Sequence, residues 1–329
     1  MRSIRLAVLT GAALIAAMPS RADDSAASLG AGGLVFAKSH EIRMASEDLY
    51  ISPEKVKVHF VFQNDSAKNI DTVVAFPLPD IDLKEYWESP IGNVTEDPVN
   101  FVGFKVMVDG RPVTIQGEQR AIFNGRDVTA IVKSAGLPVN VLGRGVEVDK
   151  LPKAKRQILM DAKIAEGDDQ YLYPQWTIRT RFHWTQKFPA GKTVVVDHTY
   201  QPVTGGTFFT KYDMERKGKD DYWKERFCMD PPTLSRIHKM LKAASQRDAQ
   251  GQDDLNGMLQ INTTEYVLST GNNWKGPIGK FHMTLDKLLP GNTLSLCWTD
   301  DLKKTSATTF EFTRANYAPD RDVRMVVLK

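Results

Sequence analysis

From residue 56 onward the chain repeatedly sets an apolar side chain at every second position, and each such run soon meets residues that turn the backbone. Val56, Val58, Phe60 and Phe62 alternate up to Asn64-Asp65-Ser66. A second run, Thr72 to Phe76, ends at Pro77-Leu78-Pro79, where proline cannot donate to a sheet ladder. Phe104, Val106 and Val108 alternate to Asp109-Gly110, the chemistry of a tight hairpin turn, and return through Val113 and Ile115. Period two means strands with one buried face. Short strands with frequent turns point away from a parallel α/β sheet. The fold class expected is mainly β, made of β-sandwich units with a few packed α-helices.

The pattern continues with Ile178, Phe182 and Trp184, a Pro189-Ala190-Gly191 turn, and Val194, Val196, His198 and Tyr200. This reads as a hairpin with an even-numbered apolar face. Helical spacing interrupts the strands twice before it. Asp127 is placed to cap a helix carrying Val128, Ile131, Val132 and Ala135 and ending at Gly136; another starts near Pro152 and buries Ile158, Leu159 and Ala162. Lys211 to Phe227 is charged and aromatic, read as a boundary or a packed surface loop. Asp230-Pro231 then opens an amphipathic helix with Leu234, Ile237, Leu241 and Ala244 on one stripe, running into the polar stretch Gln246 to Asp254. Short strands are expected at Tyr266–Leu268, Phe281–Leu285, Leu294–Trp298, Phe310–Phe312 and Val323–Leu328. The division expected is a leader over 1–22, a β-sandwich domain over 23–205 with a helical insert at 126–165, and 206–329 as a helix plus antiparallel strands, separate or completing the same sandwich.

The leader has basic Arg2 and Arg5, an apolar stretch from Leu6 to Met18, and the small-x-small triplet Ser20-Arg21-Ala22, which predicts cleavage between Ala22 and Asp23. Its apolar run is shorter than the roughly 20 residues that cross a bilayer, and no later segment is long and apolar enough either. Removing Arg2, Arg5 and Arg21 lowers the 43 basic residues to 40, against 40 acidic ones. The mature chain is formally neutral, so net charge implies no nucleic-acid partner. Export lets Cys228 and Cys297 pair as a disulfide; two separate buried thiols are the alternative.

Four segments together carry a resemblance: Leu29-Gly30-Ala31-Gly32-Gly33-Leu34-Val35-Phe36, Met44-Ala45-Ser46-Glu47-Asp48-Leu49-Tyr50-Ile51-Ser52, Ala75-Phe76-Pro77-Leu78-Pro79 and Phe188-Pro189-Ala190-Gly191-Lys192-Thr193. They resemble an uncharacterised family of bacterial periplasmic proteins known only as a domain of unknown function. The resemblance covers nearly all the mature chain and implies an exported protein, with no activity or site residue to carry over. Phe62-Gln63-Asn64, Phe76-Pro77-Leu78-Pro79, Gly110-Arg111-Pro112 and Phe188-Pro189-Ala190-Gly191 are also similar in order to vault/inter-alpha-trypsin β-sandwich domains over residues 40–204, which implies an interaction or scaffold module.

Chemistry-bearing constellations are sparse. No strand is expected before Gly30, Gly32 and Gly33, and an apolar strand rather than a helix N-terminus follows them, so a phosphate cradle is not expected. The six histidines lack metal-ligand spacing, and His183 and His198 fall on opposite faces of their strands. The pairs Asp168-Asp169, Asp220-Asp221, Asp253-Asp254 and Asp300-Asp301 have no calcium-loop pattern and read as solvated loop charges. No Gly-x-Ser-x-Gly occurs. Catalytic, metal and cofactor residues are therefore assigned to none. The aromatic residues Tyr171, Tyr173, Trp176, Tyr222 and Trp223 are the candidates for recognition, with core or seam packing as the competing role. The function expected is a non-enzymatic periplasmic binding or scaffold module whose partner is an envelope protein or periplasmic ligand. A hydrolase with a site assembled from sequence-distant residues is the alternative.

Overall fold

Alternating strands form sheets when a second layer covers their apolar faces. The computed structural model describes residues 25–30, 33–86, 91–92, 95–216, 222–248, 257–298 and 300–329; the leader, the Ala22-Asp23 cleavage point, Gly32, Asp220-Asp221 and Asp253-Asp254 lie outside them. In chain order the longer strands are β1 (Ser25–Gly30), β2 (Gly33–Phe36), β3 (Ile42–Ile51), β4 (Val56–Asn64), β5 (Ile70–Pro77), β6 (Lys105–Val108), β7 (Gln116–Phe123), β8 (Thr177–Phe188), β9 (Thr193–Tyr200), β10 (Thr204–Phe209), β11 (Leu259–Tyr266), β12 (Ile278–Asp286), β13 (Thr293–Leu296), β14 (Thr309–Tyr317) and β15 (Val323–Leu328). The helices used below are α1 (Thr129–Ser134), α2 (Lys153–Asp161), α3 (Lys211–Glu215), α4 (Tyr222–Arg226) and α5 (Pro231–Asp248). The chain is mainly β with several sheets and packed helices, as its alternation predicts.

One sheet has eight strands, with β14-β12-β3-β4-β9-β6 flanked by the two-residue strands Lys303–Lys304 and Arg111–Pro112. Another has seven, with β7-β8-β5-β1-β2 as its body. They meet face to face through buried rings: Phe76 of β5 stacks on Phe104 with centroids 4.9 Å apart, and Phe62 of β4 meets Phe188 of β8 at 5.8 Å. A third sheet of five strands contains β13-β15-β11-β10. Val323, Met325 and Val327 of β15 join the main core, whereas Val326 and Leu328 pack with Ile237 and Leu241 of α5 in a second cluster. Burial on both faces is why β15 reads as a nearly continuous apolar run.

Several expectations change. Pro189-Ala190-Gly191 does not close a hairpin: β8 pairs with β5 and β7, and β9 with β4 and β6, so the turn carries the chain from one sheet to the other. Both even-numbered faces still point inward, because each covers the other. The glycines at 30 and 33 close a β1–β2 hairpin, so a strand does precede them. Lys211 to Phe227 holds α3 and α4 rather than a loop, and α3 starts with a capping box between Thr210 and Asp213. The strand expected at Tyr266–Leu268 lies earlier, over Leu259–Tyr266. Asp127 lies one residue ahead of the helix cap, its carboxylate accepting the Thr129 N–H.

Other local readings hold. At the Asp109-Gly110 turn both residues have positive φ, 48° and 75°, and Val108 pairs with Arg111. Asp230 accepts the Thr233 N–H at 2.8 Å at the start of α5. Cys228, after α4, and Cys297, after β13, form a disulfide that ties α4 to the edge of the third sheet.

Candidate functional site

The three sheets converge on one cavity of about 290 Å³. The seven-stranded sheet supplies its first wall. Pro77 ends β5, Leu78 N–H bonds Thr180 O, and the short strand Ile81–Asp82 pairs with the start of β8, bringing Asp80, Ile81 and Asp82 to the rim. A helical turn at Leu83–Tyr86 adds Glu85. The last residue of β9, Tyr200, and then Pro202 and Val203 line the cavity from the eight-stranded sheet. Thr263, Glu265 and Tyr266 of β11, with Asp322 and Arg324 at the start of β15, complete it from the third sheet, and Arg226 enters from α4.

Charge is unevenly distributed in this lining. Asp80 is held by a forked contact from Arg179, with Nη2 to Oδ2 at 2.7 Å and Nε to Oδ1 at 3.2 Å. Arg226 donates to Glu265 at 2.8 Å, lies 3.6 Å from Glu85, and has its guanidinium 5.1 Å from the centre of the Tyr222 ring. Glu265 also faces Arg324 at 3.6 Å. Asp82 and Asp322, by contrast, accept only backbone N–H groups among the described residues: Lys84 for the first, Leu268 and Ser269 for the second.

Behind Tyr266 lies a buried acid. The Tyr266 hydroxyl donates to Glu47 Oε1 at 3.2 Å, and Glu47 is 1% exposed on β3. Burial pushes its carboxyl up to about 8, against the lowering effect of that hydrogen bond and helped by the neighbouring Asp48 charge. Glu47 is therefore a neutral acid at neutral pH. It points inward because the β3–β4 register shifts between Met44 and Ser46, a bulge that moves the buried positions from Ile42 and Met44 to Glu47, Leu49 and Ile51. Tyr200 is 4% exposed, and its hydroxyl has no hydrogen-bond partner among the described residues. Its phenol is pushed up by burial and stays protonated.

The aromatic candidates separate. Tyr222 borders the cavity, its hydroxyl 3.4 Å from Glu85, and burial pushes its phenol up to about 12. Trp223 stacks on Phe227 at 5.9 Å, in the second core cluster. Tyr171 and Tyr173 are exposed and do not line the cavity. Trp176 is fully buried, its indole N–H on Val139 O at 2.9 Å; it is a core side chain and presents no recognition surface. His198 sits among the rings of Phe60, Phe76, Phe104 and Trp184, with centroids 5.0–5.4 Å away, and burial lowers it to about 3. His183 is half-buried on the opposite face of β8, so the two histidines share no site. Asp168 caps a turn by accepting the Gln170 and Tyr171 N–H groups, Asp169 faces Lys153, and Asp300 pairs with Arg314. Among the described residues no three His, Cys, Asp or Glu side chains converge as a metal set. A larger hollow of about 650 Å³ lies over the outer face of β4, β6 and β9, where His59 Nδ1 is 2.7 Å from Asp197 Oδ1.

The cavity residues that sequence reasoning missed are Asp80, Asp82, Glu85, Glu265 and Asp322. The only signal was the Pro77-Leu78-Pro79 strand end, which forces the chain out of the sheet next to three of them.

The model of one family, described as Domain of unknown function (DUF4424), matches residues 22–326. No curated protein matches this chain. Among solved structures, a protein from Legionella pneumophila subsp. pneumophila, described as a candidate nutrient binding protein, is 15% identical with a TM-score of 0.46, covering 93% of this chain and 70% of that one. An M1 zinc metallopeptidase from Deinococcus radiodurans is 8% identical with a TM-score of 0.23, covering 89% of this chain and 43% of that one. Likenesses at these values carry no argument about this chain.

Proposed function

The chain belongs to the DUF4424 family, and from that premise we propose that it is a non-enzymatic binding module of the bacterial cell envelope, exported by its N-terminal leader, that holds a small polar ligand where the three sheets meet. The observation that carries the reading is the cavity itself: a polar-rimmed hollow to which all three sheets contribute. The disulfide supports the oxidising compartment that the leader predicts. A hydrolase is less well supported, because no Ser, Cys or His stands beside the carboxylates of the described lining.

The test is a thermal-shift screen of small metabolites on the full chain beside Thr263→Trp, which fills the cavity from the half-buried side of β11. At least one compound is expected to raise the Tm of the wild type and leave the filled variant unmoved. If every stabilising compound acts equally on both proteins, the cavity is not the ligand site.

A further inference from the structure

The hollow of about 650 Å³ over the outer face of the eight-stranded sheet has a floor that strand register assembles in two adjacent rows. One row runs Asp48, His59, Asp197 and Met107 across β3, β4, β9 and β6; the next runs Tyr50, Lys57, Thr199 and Lys105 across the same four strands. In the first row both carboxylates are engaged by imidazoles: His59 Nδ1 lies 2.7 Å from Asp197 Oδ1, and His282 Nδ1 lies 3.0 Å from Asp48 Oδ1. In the second row Lys57 and Lys105 flank Thr199, each one strand spacing away, and neither ammonium has a carboxylate within ion-pair distance among the described residues. Lys57 Nζ lies 5.9 Å from the centre of the Tyr50 ring, whose hydroxyl is spent on Asp286. Both lysine stems are long enough to bring their ammoniums together over the Thr199 hydroxyl. Beside this row stands an apolar wall. The Asp109-Gly110 turn brings the chain back so that Pro112 sits opposite Met107 and the Val113 N–H bonds Val106 O, which sets Met107, Pro112, Val113 and Ile115 against the hollow. Met107 is 41% exposed, an apolar side chain at an outward strand position where alternation calls for a polar one.

We infer that this hollow is a second binding site, separate from the cavity between the sheets, and that it takes an amphiphilic monoanion. A carboxylate sits over Thr199 between the Lys57 and Lys105 ammoniums, and its hydrocarbon tail lies along Met107, Pro112, Val113 and Ile115. Two unpaired cations joined to an apolar wall select this class. An amine would meet both lysines, a polyol would leave the Met107 wall in water, and a doubly charged phosphate would be repelled by Asp48 and Asp197 in the neighbouring row. The volume lies within the roughly 300–1,000 Å³ of small-molecule sites and leaves room for a tail of several carbons. Lys57, Lys105 and Met107 are all exposed, so the ligand exchanges with solvent and is read by titration rather than by retention.

The experiment is isothermal titration of the full chain with octanoate, with octanamide as its uncharged analogue, octylamine as its charge-reversed one and acetate as the headgroup without a tail. Octanoate is expected to bind at least roughly tenfold tighter than each of the three. Lys57→Gln combined with Lys105→Gln is expected to weaken octanoate by roughly tenfold, and Met107→Ser by about threefold to tenfold. Because these positions are exposed, both variants should keep the wild-type urea midpoint, which separates lost binding from lost folding. Equal or tighter binding of octanamide or octylamine overturns the anion assignment, and equal binding of acetate overturns the apolar wall. No octanoate binding, or an affinity unchanged in either the double lysine variant or Met107→Ser, overturns the site. Thr263→Trp should leave octanoate affinity as it is. Loss of octanoate binding in that variant would place the ligand in the cavity between the sheets, which overturns this inference and supports the reading of that cavity.

Discussion

Glu47 gives the sharpest stability test. An ordinary glutamate titrates near 4.5; buried behind Tyr266, this one is pushed up to about 8. Between those two pH values the unfolded chain has lost the proton that the folded chain retains. The folded state therefore binds more protons, and stability falls as pH rises through the window. Each pH unit across it costs about 1.4 kcal/mol, so the full passage amounts to roughly 4–5 kcal/mol as an upper bound, a large part of the 5–15 kcal/mol typical of a native protein. The perturbation is Glu47→Gln, which keeps the shape and an oxygen for the Tyr266 hydroxyl but cannot ionise. The assay is urea unfolding of both proteins at a series of pH values from 5 to 8. Histidines and surface acids contribute equally to both curves, so their difference isolates Glu47. The variant should gain on the wild type steadily as pH rises. Parallel curves would refute the burial argument, and a difference of opposite sign would mean the carboxylate is stabilised as an anion.

Four further outcomes follow from the same structure. Reducing the Cys228–Cys297 bridge, whose ends are 69 residues apart in sequence, should cost roughly 4 kcal/mol in urea unfolding on the chain-entropy model; no change would show the loop constrained by other contacts. Gly279→Ala should destabilise by about 1–3 kcal/mol, because a Cβ there meets Ala45 O at 2.5 Å beside the β3 bulge, and an unchanged denaturation midpoint would contradict that close approach. Since β12 pairs in parallel with β3 over six positions, we expect the two halves to unfold in one transition; two separated transitions would favour independent domains divided near residue 205. Intact-mass analysis of protein recovered from the periplasm should show a chain beginning at Asp23, and a chain retaining Met1 would refute the leader reading.

The elements that sequence revealed are those where one local rule acts alone. Val56 to Phe62 alternates because one face of β4 is covered and the other is not. Asp109-Gly110 turns because both positions need positive φ, and Asp230 caps because its side chain reaches the Thr233 N–H. What escaped depends on residues far apart in the chain. Glu47 is part of an exposed-looking Ser46-Glu47-Asp48 run, and only the bulge, pressed against Gly279 of a strand more than two hundred residues later, turns it inward. The Pro189-Ala190-Gly191 turn has the same composition whether it closes a hairpin or bridges two sheets; the strands' other partners decide. The cavity draws Asp82, Tyr200, Arg226, Glu265 and Asp322 from five separate segments, so no spacing could announce it.

The most direct measurement of the central claim is native mass spectrometry of the disulfide-bonded chain recovered from a periplasmic extract, run beside Thr263→Trp. The account predicts one small molecule retained by the wild type and absent from the filled variant. Bare polypeptide in both spectra, or the same adduct on both, would contradict it.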